Sequence, residues 1–246
     1  MEALENGRVS RKTAIAVINA LAQRSMKAPP PIEPRSEFDL DRIDGYRTSF
    51  AAWASINVSV EHLCMLLDTR RMYPTAPFTL MRCALENATL AVWLLHPEEQ
   101  SERRRRRLKL ALHELREEAN MHGLIPGSPA VPDPGATIAA AAELSNTPVQ
   151  TVQGRWSYRS VVRDAAEFVG NSADELEAFW SIWSAFTHGR EWAREALLRR
   201  KEVTIDGEVQ AHWIPDAQII LEASIIPSIF AARALELYDR RRTSVS

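Results

Sequence analysis

The sequence is short of the residues that several fold and enzyme classes require. It has 9 glycines in 246 residues, and it almost lacks the alternating polar and apolar runs that mark half-buried strands. A mostly helical fold is therefore expected. No glycine-rich phosphate loop ending in Lys-Ser or Lys-Thr occurs, and no dinucleotide fingerprint, Cys-x-x-Cys, His-Glu-x-x-His or Gly-x-Ser-x-Gly motif is found. These absences exclude the nucleotide-binding proteins, zinc proteases and serine hydrolases that depend on these motifs.

Cysteine and long apolar runs are scarce as well. The two cysteines, Cys64 and Cys83, stand in apolar helical patterns and cannot build a disulfide framework, so a reducing cytoplasm is expected. Residues 1–10 are polar and lack the apolar core of a signal peptide. No run of about eighteen apolar residues is present, and we therefore expect no membrane span.

Charge of either sign is not in excess. The formal net charge is −2, so no global basic field recruits nucleic acid. RNA or a nucleotide stays open as a partner, although the net charge does not indicate one. No glutamate stands three residues before any histidine, as it does in di-iron bundles. Glu114, Glu118 and His122 share one helical stripe without a matching second helix, so neither a metal nor a cofactor is predicted.

Long apolar helical patterns dominate what is there. They predict an all-α, multi-helix bundle with an N-terminal helical arm and a small β-hairpin insertion near residues 203–213. Residues 1–36 form the arm and a proline-rich linker, and residues 37–246 form the bundle. The prolines at 29–31 and 34 predict a stiff, extended linker. The arm either docks on its own bundle or on a partner subunit.

A seven-residue repeat predicts one long helix over residues 37–71, with a seam that faces the bundle. The repeat consists of Ile43, Phe50, Asn57 and Cys64, interleaved with Tyr46, Trp53, Val60 and Leu67. Asn57 is the polar member, and a buried amide needs hydrogen-bond partners. It either fixes the register of the helix or forms a wall of a polar pocket.

Charged side chains are set into the next two helices. Arg82 and Glu86 lie four apart in an apolar helix over 78–95, and buried charges must pair, so we expect them to contact each other or a common partner. The helix over 97–122 carries five consecutive arginines, 103–107. Since these circle the helix, a solvated face with salt bridges such as Glu102–Arg106 is favoured over a phosphate site.

The stretch 179–192 combines five aromatic residues with a polar pair. Ser184 and His188 lie on one helical face, and Gly189 follows where the helix can end or bend. If the three helices are neighbours, one connected polar cluster results. Its members are Asn57, Arg82, Glu86, Ser184 and His188. In a dry bundle this cluster is a structural network; opened to solvent by the proline-rich loop 124–136, it is a site for an anionic or nucleotide-like ligand.

The motifs Arg82-x-x-x-Glu86 and Ser184-x-x-x-His188-Gly189 resemble the HEPN superfamily of helical bundles. The resemblance covers roughly residues 40 to 195. It implies a homodimer that acts by binding or assembly in a defence or toxin-type system, and RNA cleavage in the nuclease members. Those members have an arginine, four to six residues and then a histidine. At these offsets before His188 the sequence has Ser181, Ile182 and Trp183, none of them an arginine.

Three functions therefore stay open. The first is a HEPN-like protein that acts by binding or assembly. The second is a metal-independent ribonuclease that uses His188 with Arg82, or Arg116 with His122, which stand near a helix end beside the proline-rich loop. The third is a regulator that binds a small ligand without chemistry.

Overall fold

The secondary structure of this chain is almost entirely helical. A computed structural model describes residues 10–69, 73–206 and 208–244. Within them one antiparallel hairpin accompanies the helices, which confirms the all-α bundle with a small hairpin. The elements in chain order are α1 Arg11–Ser25, α2 Glu37–Leu40, α3 Thr48–Asp68, α4 Ala76–Leu95, α5 Gln100–Leu124, α6 Pro134–Leu144, α7 Val149–Val152, α8 Tyr158–Val169, α9 Ala173–Thr187, α10 Glu191–Leu197, β1 Arg199–Ile205, β2 Glu208–Ile214 and α11 Ala217–Arg242.

Helix α4 is the centre of the bundle. It packs against α3, α8, α9 and α11, and residues on all of its sides are buried, including Met81, Leu85, Leu90 and Leu94. A helix surrounded in this way must be apolar all round, because each face meets another helix instead of water. The apolar sequence of this segment thus follows from its central place.

Three helices, α3, α4 and α11, are long and apolar enough to cross a membrane by length and composition. In the bundle they contact one another, and burial against protein accounts for much of their apolar surface. The expectation of a cytoplasmic chain without a membrane span therefore stays a prediction.

The long helix predicted over 37–71 is divided. A turn around Gly45 (φ 80°) separates α2 from α3 and resets the helical phase. Trp53 and Val60 of one row are buried, and so is Ile43 of the other row, which lies before the turn. Phe50, from the other row, is 74% exposed. The prediction of a continuous helix with a fully buried seam was wrong.

The N-terminal arm docks on its own bundle. Helix α1 packs against α3 and α11 and buries Ala14, Ile18 and Leu21. The linker then crosses to the other end of the chain, where the Glu33 N–H donates to the Arg242 carbonyl (2.9 Å). The arm is therefore part of the core of this chain.

Two further segments differ from their predicted bounds. The helix expected to continue to Arg200 ends at Thr187, because Gly189 adopts φ 64° and a separate helix, α10, follows. The hairpin is longer than residues 203–213: Arg199 pairs with Ile214, and Ile205 pairs with Glu208. Asp206 takes φ 53° at its turn, and Gly207 lies outside the described residues.

The arginine run on α5 is only partly solvated. Glu102 bonds Arg106 (2.7 Å), as predicted, and also Arg105. Burial alone would raise the pKa of Glu102, but the hydrogen bonds from these two guanidinium groups outweigh it and lower this pKa to about 2. Arg103 and Arg107, however, are 2% and 8% exposed. The prediction of a solvated face is wrong for these two, because their side of α5 packs into the protein.

Arg103 ties the start of α5 to α2 and to the end of α4. Its guanidinium donates to Asp41, to the Pro97 carbonyl (2.8 Å) and to the Glu98 carbonyl (2.6 Å), and it pairs with Glu37 (2.8 Å). Asp41 is itself 1% exposed. A buried ion pair that is fully hydrogen-bonded holds its elements firmly, since the loss of either partner leaves a buried charge.

The surroundings of His96 predict that the stability of the fold depends on pH. Its Nε2 lies 2.8 Å from Arg106 Nη1, and its ring stacks on Phe168. Burial, and then the Arg106 charge, lower the pKa of His96 to about 4. The unfolded chain binds this proton near pH 6.5. The contribution of His96 to the free energy of unfolding is therefore complete above that pH and falls as the pH drops toward 4.

We expect the free energy of unfolding to fall by about 1–2 kcal/mol from this group alone between pH 7 and pH 5, after allowance for its partial exposure. Urea unfolding at both pH values should show that the free energy of unfolding falls less from pH 7 to pH 5 in His96→Asn than in the wild type. His212→Asn, at an exposed position on β2, is the control and should keep the wild-type difference. An unchanged pH dependence in His96→Asn would contradict the assignment.

Candidate functional site

The predicted contact between Arg82 and Glu86 is confirmed. Arg82 Nε donates to Glu86 Oε1 at 3.0 Å. The same oxygen accepts the indole N–H of Trp180 from α9 at 2.7 Å, and the Arg82 guanidinium lies 5.8 Å from the centre of that indole ring. Glu86 is buried, and each of these contacts offsets the cost of burying its charge.

Helices α4 and α9 run antiparallel and face each other, so two of the three helices that the predicted cluster requires are neighbours. At one end Phe78 stacks on Phe186, with 4.0 Å between the ring centroids, and at the other Glu86 accepts a hydrogen bond from Trp180. Ser184 follows Trp180 by four residues and so lies on the same helical stripe, at the level of Arg82. Ser184 therefore lies on the side of α9 that carries Trp180, but within the described residues its side chain makes no hydrogen bond to Arg82 or Glu86.

The five predicted site residues do not form one connected network. Asn57 lies on the side of α3 that faces α1, where its amide donates to the Ser25 carbonyl (2.6 Å) and accepts from the Trp53 indole (3.2 Å). His188 caps the end of α9 and is exposed, since the helix stops there. Within the described residues neither the His188 nor the Ser184 side chain makes a hydrogen bond. Of the five residues, only Arg82 and Glu86 are joined by a hydrogen bond within the described residues, and their further partner is Trp180.

The Arg82–Glu86 pair has the character of a structural contact. Burial, and then the Glu86 charge, raise the pKa of the Cys83 thiol. The same two causes, in the same order, raise the pKa of Tyr158 to about 12. Both groups are therefore held protonated at neutral pH, and a neutral thiol is a poor nucleophile. The pair packs two helices together and activates neither neighbour.

The second predicted catalytic pair is not assembled either. Arg116 is exposed on α5, and His122 follows six residues later on the same helix. Six residues at 3.6 per turn put two side chains about 120° apart around the helix axis. The two therefore point in different directions, because they share a continuous helix.

No group of three or more histidine, cysteine or acidic side chains that could hold a metal ion lies in the part of the chain that the structure describes. This includes the stripe of Glu114, Glu118 and His122. The prediction of a chain without a metal or cofactor stays a prediction.

A cavity lies elsewhere, between the proline-rich linker and α3. This groove has a volume of about 830 Å³, which suits a small organic ligand. One wall is the linker itself, and the opposite wall is one side of α3. Its lining comprises Pro29, Pro30, Pro31, Ile32, Gly45, Arg47, Ser49, Phe50, Trp53, Ala54, Asn57, Arg107 and Tyr238.

The charged groups in the groove are of one sign. Arg47 and Arg107 line it, and no acidic side chain does. Arg47 is exposed, and it forms no ion pair with the residues described in the structure. Arg107 is buried, its Nη1 reaches only Glu114 at 3.5 Å, and its guanidinium lies 5.6 Å from the Tyr46 ring. The groove is therefore complementary to an anion.

Arg107 is the least satisfied of the buried charges near the groove. Its Nε is shielded from solvent and finds no hydrogen-bond partner among the residues that the structure describes. Burial lowers the pKa of this guanidinium, and the Glu114 charge only partly opposes the effect. Arg103, one turn earlier on α5, has hydrogen bonds from all three of its nitrogen atoms. Arg104, also on α5, has an unpartnered Nε as well, but its terminal nitrogens donate to the Ser145 and Leu40 carbonyls. Of the three arginines, Arg107 therefore has the fewest hydrogen bonds within the described residues.

The N-terminus of α3 opens at the same end of the groove. The helix begins at Thr48 after Arg47, and neither a side-chain cap nor an acidic residue in the first turn neutralises it. Thr48 Oγ1 is buried without a hydrogen-bond partner within the described residues. The free N–H groups of a first helical turn and its dipole favour an anion. They add to the two guanidinium groups of Arg47 and Arg107.

Sequence reasoning missed this groove, although some of its signals were visible. The run Gly45-Tyr46-Arg47-Thr48-Ser49 begins a helix without an acidic residue, which is unusual for a first turn. Arg107 was hidden within the arginine run. Nothing in the order of residues shows that the linker folds back along α3, since that requires the docking of α1.

Comparison with protein-family models, with curated proteins and with solved structures finds no match to this chain. The resemblance of the Arg82–Glu86 and Ser184–His188 motifs to the HEPN superfamily accordingly stays a prediction. The function has to follow from the two polar centres of the bundle, of which the groove is the one that offers an unpaired charge to a ligand.

Proposed function

We propose that this chain is a HEPN-like helical-bundle protein that acts by binding a ligand with an anionic group in the groove between the linker and α3. The observation that carries the proposal is Arg107, a buried guanidinium without a full set of partners. The resemblance supports a homodimer in a defence or toxin-type system.

The energetics of burial support a ligand at Arg107. A buried charge costs several kcal/mol unless ion pairing and hydrogen bonds offset the cost. The single long contact with Glu114 and the Tyr46 ring do so only in part. A carboxylate or phosphate oxygen in the groove supplies a counter-charge to this guanidinium, and planar oxyanions match the donor geometry of arginine.

Binding is favoured over RNA cleavage because the two arginine–histidine pairs lack a common site. His188 is exposed at the end of α9, whereas Arg82 is engaged with Glu86 and Trp180. Arg116 and His122 point to different sides of α5. General acid–base cleavage needs both groups within hydrogen-bond reach of the same phosphate.

The proposal predicts that, within a matched pair of ligands that differ in charge, the charged member binds and the neutral member does not. Phenyl phosphate and benzoate should bind the wild type, while phenol and benzyl alcohol should not. Arg107→Leu should weaken the anions at least about tenfold, because a charge-assisted hydrogen bond contributes roughly 1.5–3 kcal/mol. Titration calorimetry measures both affinities.

Arg116→Leu removes an exposed arginine of the same helix from outside the groove and is the matched control. It should bind the anions as the wild type does. Equal binding of the charged and neutral partners, or equal losses in the two variants, would sink the proposal. RNA breakdown that disappears in His122→Ala or His188→Ala would instead establish the ribonuclease.

A further inference from the structure

We infer that the ligand of the groove is a single-chain amphipathic acid, with its anionic head at Arg107 and the start of α3 and its aliphatic tail along α3. This inference rests on the proposed function and names the class of its ligand. It follows from the uneven distribution of unpaired polar groups along the groove.

The guanidinium groups of the groove lie at one end. Arg47 stands at the N-terminus of α3 and lines the groove with Arg107, and Arg107 lies beside Tyr46 just before this helix. Arg107 contains a buried polar atom without a partner within the described residues, and so does Thr48, the first residue of α3, which is not part of the lining. The head of a ligand at this end meets a guanidinium donor, the free N–H groups of the first turn and the positive end of the helix dipole.

The rest of the groove has no unpaired charge to offer. The amide of Asn57 and the indole N–H of Trp53 bond each other, and the second bond of Asn57 goes to the Ser25 carbonyl. The remaining lining consists mainly of aliphatic, aromatic and proline side chains, with Phe50, Ala54 and Pro30 among them, and includes the hydroxyl groups of Ser49 and Tyr238. A sugar or a base would leave its own polar groups unpaired here, which costs free energy.

The shape of the groove suits an extended tail. Its lining on α3 runs from Arg47 to Asn57, a distance of about 15 Å at 1.5 Å per residue. Ala54 leaves a low floor between the larger Phe50 and Trp53. Phe50, 74% exposed in the free protein, covers such a tail on one side, and the linker covers it on the other.

The test uses the full chain and a series of monomeric fatty acids from acetate to dodecanoate, titrated by calorimetry below their micelle concentrations. Each added methylene should tighten binding about threefold to fourfold, until the tail fills the groove. Decanol, which has the same tail without the charge, should bind at least tenfold more weakly than decanoate. Arg107→Leu should remove that difference.

Two substitutions examine the tail. Ala54→Trp fills the floor of the groove at an exposed position, and Ala140→Trp, at an exposed position of α6, is its control. Ala54→Trp should weaken decanoate at least tenfold and leave acetate unchanged, while Ala140→Trp should alter neither. If circular dichroism shows that Ala54→Trp does not fold, Phe50→Ser replaces it with the same expected outcome.

The outcomes separate the inference from the proposed function. Anion binding that needs Arg107 but ignores tail length and Ala54→Trp would overturn the inference and leave the proposed function standing. Decanoate binding unaffected by Arg107→Leu would overturn both. Binding to vesicles of phosphatidylglycerol without binding to monomeric acids would overturn the inference in favour of a membrane surface.

Discussion

Replacement of Arg103 by methionine is expected to lower the free energy of unfolding by about 3–5 kcal/mol. The guanidinium is the partner of Asp41, which is 1% exposed, and it also pairs with Glu37. Burial already raises the pKa of Asp41, and the hydrogen bond from Arg103 opposes this effect. Without Arg103 the aspartate loses its hydrogen-bonded counter-charge and the Glu98 carbonyl loses its donor, whereas the Pro97 carbonyl keeps the donor from Arg241.

Urea unfolding followed by circular dichroism at pH 7 measures this loss. Arg105→Met, which breaks the half-exposed pair with Glu102 on the same helix, is the control and should cost about 1 kcal/mol or less. The double variant Arg103→Met with Asp41→Leu should recover part of the loss, since it removes both charges. A cost below 1 kcal/mol for Arg103→Met would mean that the contacts of this arginine contribute little to folding.

The fold could be predicted because its strongest signals are local. The apolar pattern of α4 depends on neighbouring residues, and this helix was found close to its predicted bounds. The hairpin was found where it was predicted, with longer strands. The break between α2 and α3 was missed because Gly45 and its neighbours do not interrupt the seven-residue repeat. The phase change that exposes Phe50 became visible only in the folded chain.

Within the polar site, only contacts between residues of the same helix could be predicted from the sequence. Arg82 and Glu86 are one helical turn apart, so their contact follows from spacing alone. The link from Glu86 to α9 depends on the relative rotation of two helices, which placed Trp180 opposite the carboxylate instead of His188. Arg103 and Arg107 were both expected in solvent. Their burial depends on α2 and on the turn before α3, which no local pattern of α5 contains.

Replacement of Arg107 by leucine is expected to have the opposite effect on stability to that of Arg103→Met. The free protein should be as stable as the wild type or more stable by about 1 kcal/mol or more, since apolar residues often replace poorly paired buried charges with a gain. The same variant should lose its affinity for anions. Thermal and urea unfolding with and without decanoate measure both effects on one sample.

Arg103 and Arg107 form a matched comparison because they are the same residue type, one turn apart on α5 and both buried. A purely structural Arg107 would behave like Arg103, so a loss above 2 kcal/mol in Arg107→Leu without ligand would argue that its charge serves folding. A gain in stability together with lost binding has another meaning. The protein then retains a buried charge that weakens its own fold, and selection for a ligand is the physical reason for keeping it.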